Sequence, residues 1–263
     1  MLSLIMAAAL TAQGTGPLDG DRLTQLARYA HAAETIDPAW DGQPFVATMD
    51  LTPLDEVSVD AAHSPAVWAY SSEEQTLYLI VGGPRLTAGN YDDFTAQNLQ
   101  RYSNVRPVFV SVDEKSRKPL DPMDLMMRPA NFQEMVDTMR MMPAGRFPIE
   151  HLTAFSVALV DLEPAEAAPA PLQGRIVLRR PMSRGDARTL VRDLKLTVEG
   201  RLASDHGPFC GGFTHRRAVD EVTSQRTIDL ADTQCFLPAV IDRMALIRGD
   251  GSVFAEWPAP AAN

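Results

Sequence analysis

The sequence lacks the short motifs that identify the common catalytic centres. Its 263 residues contain no H-E-x-x-H zinc motif, no G-x-S-x-G nucleophile elbow and no C-x-x-C pair. The phosphate-binding P-loop and the G-x-G-x-x-G dinucleotide motif are missing as well. The sequence therefore predicts no particular reaction, and any catalytic residues would have to be dispersed along the chain.

An excess of basic residues is also missing. The chain has 24 Lys and Arg against 34 Asp and Glu, which gives a formal net charge of −10. A protein that binds nucleic acid needs a clustered basic face. The densest basic runs, residues 115–118 and 215–217, are short and diluted by acidic neighbours. We therefore expect no nucleic-acid partner for this acidic protein.

Apolar runs long enough to span a membrane, which takes about 20 residues, are missing too. The short apolar run at residues 2–10 has the length of a signal-peptide core, and small residues allow cleavage between Ala9 and Gln13. We therefore predict a signal peptide at residues 1–12, no transmembrane segment, and a soluble mature protein that is secreted or periplasmic. A buried amino-terminal strand or helix is the alternative.

Cysteine is scarce, since Cys210 and Cys235 are the only two in the chain. An even number of cysteines in an exported protein favours a disulfide. Closing a loop of about 25 residues stabilises a fold by roughly 3.5 kcal/mol on the chain-entropy model. The sequence therefore predicts a disulfide between Cys210 and Cys235. The expected arrangement places a turn at Gly211 and Gly212 near a strand that begins at Cys235.

Two other roles are open for the cysteines. His206 and His215 lie near Cys210 in the sequence, so with Cys235 they could form a Cys2His2 zinc site. One of these histidines could instead be the base for a cysteine nucleophile, with Asp205 as the orienting carboxylate. The short paired spacings of zinc sites are missing, and export favours oxidised cysteines. We favour the disulfide and expect no metal and no cofactor.

Hydrophobic periodicity predicts mixed helices and strands in the first region, residues 13–162. In the first helix, His31 lies next to the apolar stripe and is expected to be a partly buried structural residue. The polar segment at residues 115–122 carries two prolines and is expected to be a loop. The expected helices are residues 21–34, 90–102 and 131–142. The expected strands are residues 44–51, 66–70, 75–81, 106–112 and 152–160.

The second region, residues 174–258, is predicted to be β-rich. A strand is expected at residues 174–179, and alternating apolar and polar residues predict another over 190–202. The Gly-Asp-Gly sequence at 249–251 predicts a hairpin tip. The Arg-Gly-Asp tripeptide at 184–186 is expected to be a turn because of its composition.

Between the two regions, residues 163–173 form a Pro/Ala-rich segment that is expected to be a linker or a long loop without packing of its own. Residues 259–263 are expected to be a flexible tail. Together these elements predict an α+β fold, mostly antiparallel β-sheet, with about two to three helices in the N-terminal part.

Methionine is concentrated in one segment, with seven of the twelve residues between Met123 and Met142. Met135 and Met139 share a helical face with Phe132 and are expected to be core residues. A groove for a partner and a Cu(I) site are the alternatives, because thioethers are soft ligands.

These observations favour a non-catalytic binding or interaction role with an unknown protein or small-molecule partner. A periplasmic hydrolase with dispersed residues is one alternative, and a Met-based copper carrier is another. Carboxylates and one histidine are the candidates that such a hydrolase could draw on: Asp60, His63, Asp92 and Asp93.

Overall fold

The computed structural model describes residues 16–33, 40–54, 63–83, 89, 91–100, 106–119, 149–163, 166–203, 207–218, 227–259 and 261. The predicted signal peptide, the predicted helix at 131–142 with Met135 and Met139, and His206 lie outside these ranges. Only the backbone of His215 is described. Within the described chain the fold is α+β and mostly antiparallel β-sheet, as predicted.

The described elements comprise four helices and eleven strands. The helices are α1 Gly20–Ala33, α2 Asp93–Gln100, α3 Ala170–Gln173 and α4 Arg184–Asp193. The strands are β1 Pro44–Asp50, β2 Thr52–Pro53, β3 Ala66–Ser71, β4 Thr76–Val81, β5 Val108–Pro119, β6 Ile149–Asp161, β7 Ile176–Pro181, β8 Leu194–Leu202, β9 Phe209–Ala218, β10 Thr227–Arg248 and β11 Val253–Pro258. No helix in the described part of the chain is long and apolar enough to cross a membrane.

The strand β10 organises a seven-stranded sheet. Its first half pairs with β6 and β9, and its second half pairs with β8 and β11. The strands β1 and β5 extend the sheet through β8 and β6, respectively. The pairing of β6 with β10 is parallel, and the other described pairings of this sheet are antiparallel.

A second sheet has the strand order β2-β3-β4-β7 and packs against the first. The predicted hairpin forms β3 and β4, whose register places Trp68 opposite Leu79 and Tyr70 opposite Leu77. Side chains two residues apart point to the same face, so these four residues turn toward the shared core. Leu77 and Leu79 are completely buried there.

Alternate residues of β10 enter two different clusters because successive side chains of a strand point to opposite faces. Cys235 and Leu237 lie in a main core that the two sheets and α1 share. Phe236 lies on the other face, in an aromatic cluster covered by α2. The aromatic members of that cluster are Tyr91, Phe109, Phe209, Phe213 and Phe236.

The structure corrects the prediction for residues 184–193, which form the helix α4. Ser183 caps this helix, since its Oγ accepts a hydrogen bond from the Asp186 backbone N–H and donates one to the Asp186 carboxylate. The predicted turn at 184–186 is therefore the first turn of a helix, and the predicted strand begins at Leu194 instead of Leu190. The alternating pattern starts only where the buried helical face of Ala187 and Val191 ends.

Three further predictions are wrong in part. The strand β5 continues to Pro119, so residues 115–119 are not a loop. The Pro/Ala-rich segment packs at its end, where Ala168 and Leu172 are buried in the main core. Gly211 and Gly212 lie inside β9 and form no turn, and Cys235 lies in the middle of β10.

Candidate functional site

A groove lies between the strand β3 and the helix α4. Trp68 and Tyr70 supply two aromatic rings, and Arg184 and Arg188 supply two guanidinium groups from successive turns of the helix. Leu54 and Ala69 complete the lining of a cavity of about 300 Å³, which is at the lower end of the usual range for small-molecule sites. We call this feature the arginine–aromatic groove.

The local sequence explains how the helix presents its two arginines. Ala187 and Val191 are buried against the sheets, so the neighbouring positions 184 and 188 lie at the exposed side. The Tyr70 hydroxyl donates a hydrogen bond of 2.9 Å to the Met182 carbonyl, just before the helix begins. The Arg184 guanidinium lies 6.0 Å from the centre of the Tyr70 ring. These contacts hold the helix start against β3.

The segment of sequence that supplies the groove arginines has a charge opposite to that of the whole protein. Residues 175–192 contain six arginines and one aspartate, although the chain carries a net charge of −10. Among the described residues, neither Arg184 nor Arg188 forms an ion pair with a carboxylate. Two exposed guanidinium groups that lie beside aromatic rings and form no ion pair with a described carboxylate can bind an anion.

Other arginines nearby also lie over aromatic rings. Arg179 lies 5.5 Å from the centre of the Tyr78 ring, and Arg180 and Arg248 lie 5.5 and 5.1 Å from that of Phe254. Cation–π contacts of this kind orient a guanidinium without neutralising its charge. These three arginines therefore keep their positive charge.

A second polar constellation is buried on the aromatic face of β10. The Nε2 atom of His63 lies 3.0 Å from Asp232 Oδ2, and Gln234 Nε2 donates a hydrogen bond of 3.0 Å to the same oxygen. The Tyr91 hydroxyl donates a 2.8 Å hydrogen bond to Gln234 Oε1. Burial and, secondarily, the Asp232 charge raise the pKa of Tyr91 far above its usual range, so this phenol stays a neutral donor.

Aromatic rings enclose this polar network. The His63 ring stacks on Phe109 with a centroid distance of 4.4 Å and meets the edge of Phe213 at 5.3 Å. His63 and Asp232 are 2% and 3% exposed. Asp232 Oδ1 has no hydrogen-bond partner within the described chain. Among the described residues, this network is thus buried within the aromatic cluster.

The carboxylates suggested for a hydrolase do not assemble around His63 in the described chain. Asp60 lies outside the described residues. Asp92 caps the helix α2, with its carboxylate accepting hydrogen bonds from the backbone N–H groups of Thr95 and Gly212 at 2.7 and 2.6 Å. Burial alone would raise the pKa of Asp92, but these hydrogen bonds lower it below its usual value. Asp93 is exposed at the start of α2.

The predicted disulfide between Cys210 and Cys235 is present. The two residues face each other across β9 and β10, with a Cα–Cα distance of 4.1 Å. His31, which was expected to be partly buried, is exposed on α1, and one of its ring nitrogens and the two sulfur atoms lie within 4.8 Å of one another. His31 is thus the histidine that the described chain places beside the two cysteines, whereas the side chains of His206 and His215 lie outside the described part.

Sequence reasoning missed the groove because its parts are far apart in the chain. Trp68 and Tyr70 lie more than a hundred residues before Arg184 and Arg188. The available signal was the Ser183-x-x-Asp186 capping pattern together with arginines four residues apart, at positions 184 and 188. Comparison of the chain with protein-family models, with curated proteins and with solved structures gives no match.

Proposed function

We propose that this protein is an exported, periplasmic, non-catalytic binding protein whose ligand is a small organic anion with a planar ring. The observation that carries the proposal is the arginine–aromatic groove, in which two guanidinium groups without carboxylate partners in the described chain lie beside two aromatic rings. Export is supported by the predicted signal peptide and by a disulfide of the kind that persists in oxidising compartments.

The lining of the groove favours binding over catalysis. Its described residues include no carboxylate, histidine, cysteine or serine, which are the usual bases and nucleophiles. Besides the arginines, Tyr70 and Trp68 are the lining side chains with a polar atom, a hydroxyl that is hydrogen bonded to the Met182 carbonyl and an indole N–H. The groove thus offers charge and ring surfaces, and these two features define the ligand.

The spacing of the two arginines on the helix α4 determines which anion can bind in the groove. Positions 184 and 188 are separated by one turn, a rise of roughly 6 Å along the axis. Two guanidinium groups at this spacing can share one phosphate or two neighbouring carboxylates through paired hydrogen bonds. Trp68 and Tyr70 then provide faces on which a planar ring can stack.

Phenyl phosphate is a suitable probe because it combines a ring with a phosphate, and benzyl alcohol is its uncharged counterpart. In isothermal titration calorimetry we expect saturable binding of phenyl phosphate with one site, weakened by added salt, and no measurable binding of benzyl alcohol. The variant with Arg184→Ala and Arg188→Ala should lose at least about tenfold in affinity, since each hydrogen bond to a charged group contributes about 1.5–3 kcal/mol.

Arg192→Ala is the matched control, because Arg192 is exposed on the same helix and does not line the groove. This variant should bind phenyl phosphate as the unmodified protein does. Equal affinity for both probes, or an unchanged affinity after both groove arginines are removed, would contradict the proposed site.

A further inference from the structure

A second site lies away from the groove, where the helix α1 crosses the strands β9 and β10. His31 is exposed near the end of α1, Cys210 is partly exposed on β9, and Cys235 is buried on β10. A ring nitrogen of His31 and the two sulfur atoms lie within 4.8 Å of one another. Imidazole and cysteine thiolates are the donors that zinc prefers.

We propose that these three side chains form a zinc site when the Cys210–Cys235 disulfide is reduced. Two thiolates and one imidazole would supply three of the four tetrahedral ligands, and water would take the fourth position. The site does not depend on the arginine–aromatic groove, so either proposal can fail without the other.

The strand pairing keeps the donors together after the sulfur–sulfur bond opens. Neighbouring pairs of the ladder, Gly211 with Gln234 and Phe209 with Phe236, flank the cysteines on both sides. Ligand atoms around a tetrahedral zinc lie about 3.4–3.8 Å apart, given Zn–S and Zn–N distances of about 2.3 and 2.0–2.1 Å. The His31 ring nitrogen and the two sulfur atoms already lie within 4.8 Å of one another, so side-chain rotations suffice to bring them to these distances. The exposed position of His31 gives the ion a way in.

A dithiol reductant supplies the electrons and protons that open the Cys210–Cys235 disulfide. Thiol–disulfide exchange transfers two electrons and two protons from the reductant to the protein, so that the reductant becomes a disulfide and Cys210 and Cys235 become thiols. Binding of one Zn²⁺ then releases the two thiol protons to solvent and forms two Zn–S bonds. A small-molecule disulfide reverses the sequence by exchange: it is reduced to two thiols, the Cys210–Cys235 bond forms again, and Zn²⁺ is released. The same residues therefore hold either a covalent bond or a metal, depending on the redox conditions.

The test uses the full protein, reduced by a phosphine under anaerobic conditions and freed of metal. Cobalt(II) reports on the site, because thiolate ligands give it a charge-transfer band in the near ultraviolet. We expect this band at one ion per chain in the reduced protein and none in the oxidised protein. Zinc should displace cobalt, and its affinity follows from competition with a chromophoric chelator.

The variants assign the ligands. His31→Asn should weaken zinc binding by at least about tenfold, since even loss of a residue that only orients a ligand costs about 10–100-fold. His151→Asn is the control because His151 lies on β6, beside Asp229, and it should bind zinc normally. A reduced protein that binds no cobalt or zinc, that binds only Cu(I), or that is unaffected by His31→Asn would overturn the proposal.

Reduction could unfold the chain, so a second measurement keeps the test decisive. If circular dichroism shows loss of β-structure on reduction, zinc added before the reductant should prevent that loss in the unmodified protein but not in the His31→Asn variant. Unfolding that proceeds equally with and without zinc would also overturn the proposal.

Discussion

The two faces of the strand β10 bury their side chains in different ways. On one face, Leu237 packs among aliphatic residues of the main core, where any well-fitting apolar side chain contributes. On the other face, Asp232 and Gln234 bury polar atoms among aromatic rings and depend on particular partners. We infer that a substitution on the first face lowers the free energy of unfolding in proportion to the side-chain volume it removes. On the second face, the loss of a single hydrogen-bonding partner is enough to lower it.

The largest expected effect comes from breaking the polar network. Asp232→Ala should lower the free energy of unfolding by about 3–5 kcal/mol, because it removes the buried carboxylate that His63 and Gln234 share and leaves only their 3.1 Å contact with each other. Urea denaturation of this variant and of the unmodified protein measures the difference.

A double variant separates polar partnership from packing. His63→Leu with Asp232→Leu replaces both polar side chains of this buried contact by apolar ones and should be less destabilising than Asp232→Ala alone. Leu237→Ala, on the opposite face, should cost about 2–5 kcal/mol through the cavity it leaves. A loss below about 1 kcal/mol for Asp232→Ala would show that the two faces do not differ in this way.

A smaller effect is expected at the contact between β9 and α2, on the aromatic face. Gly211 lies so close to Thr95 that a Cβ atom at position 211 would overlap the Thr95 side chain. Gly211→Ala should therefore cost about 1–3 kcal/mol through overpacking. The combination with Thr95→Ala, which shortens the opposing side chain, should recover part of that loss in the same denaturation measurement. Gly212→Ala is the matched control because its Cβ position is less crowded.

The smallest effect concerns a buried carboxylate at the end of β6. Burial raises the pKa of Asp161 to about 6, although hydrogen bonds from the backbone N–H groups of Glu163 and Ile241 act in the opposite direction. The folded protein thus binds this proton more tightly than the unfolded chain, whose Asp pKa is about 3.9. The contribution of Asp161 to stability must fall as the pH rises from about 4 to about 6, by at most about 3 kcal/mol.

The variant Asp161→Asn keeps the size of the side chain and cannot ionise. The difference in unfolding free energy between this variant and the unmodified protein should change between pH 4 and 6 in favour of the variant as the pH rises. A difference that stays constant over this interval would mean that Asp161 titrates alike in the folded and unfolded states.

The same contrast explains how much of the fold could be predicted. Apolar periodicity correctly indicated α1, the β3–β4 hairpin and the alternating strand β8, since each depends on local spacing and burial. The disulfide was predicted from cysteine number and compartment. The helix α4 was missed because the alternating pattern of β8 was extended backwards past Leu194.

The sites could not be predicted, because they join residues that no spacing rule connects. His63 meets Asp232 through packing between aromatic rings, and His31 meets the cysteines because α1 crosses β9 and β10. The contact of Asp232 with His63 could not be predicted from the alternation of apolar and polar residues, because this pattern does not distinguish a buried charged residue from an exposed one. Long-range packing, not local propensity, brought these polar groups together.

Arg184 and Arg188 are proposed to bind an anion beside Trp68 and Tyr70. Nuclear magnetic resonance of the arginine Nε–Hε groups and tryptophan indole N–H groups, during titration with phenyl phosphate, tests it most directly. We expect saturable shifts of the Arg184, Arg188 and Trp68 signals with one common dissociation constant, while the signals of Arg192 and Arg201 stay unchanged. Uniform shifts of all exposed arginines, or no shift at Arg184 and Arg188, would contradict it.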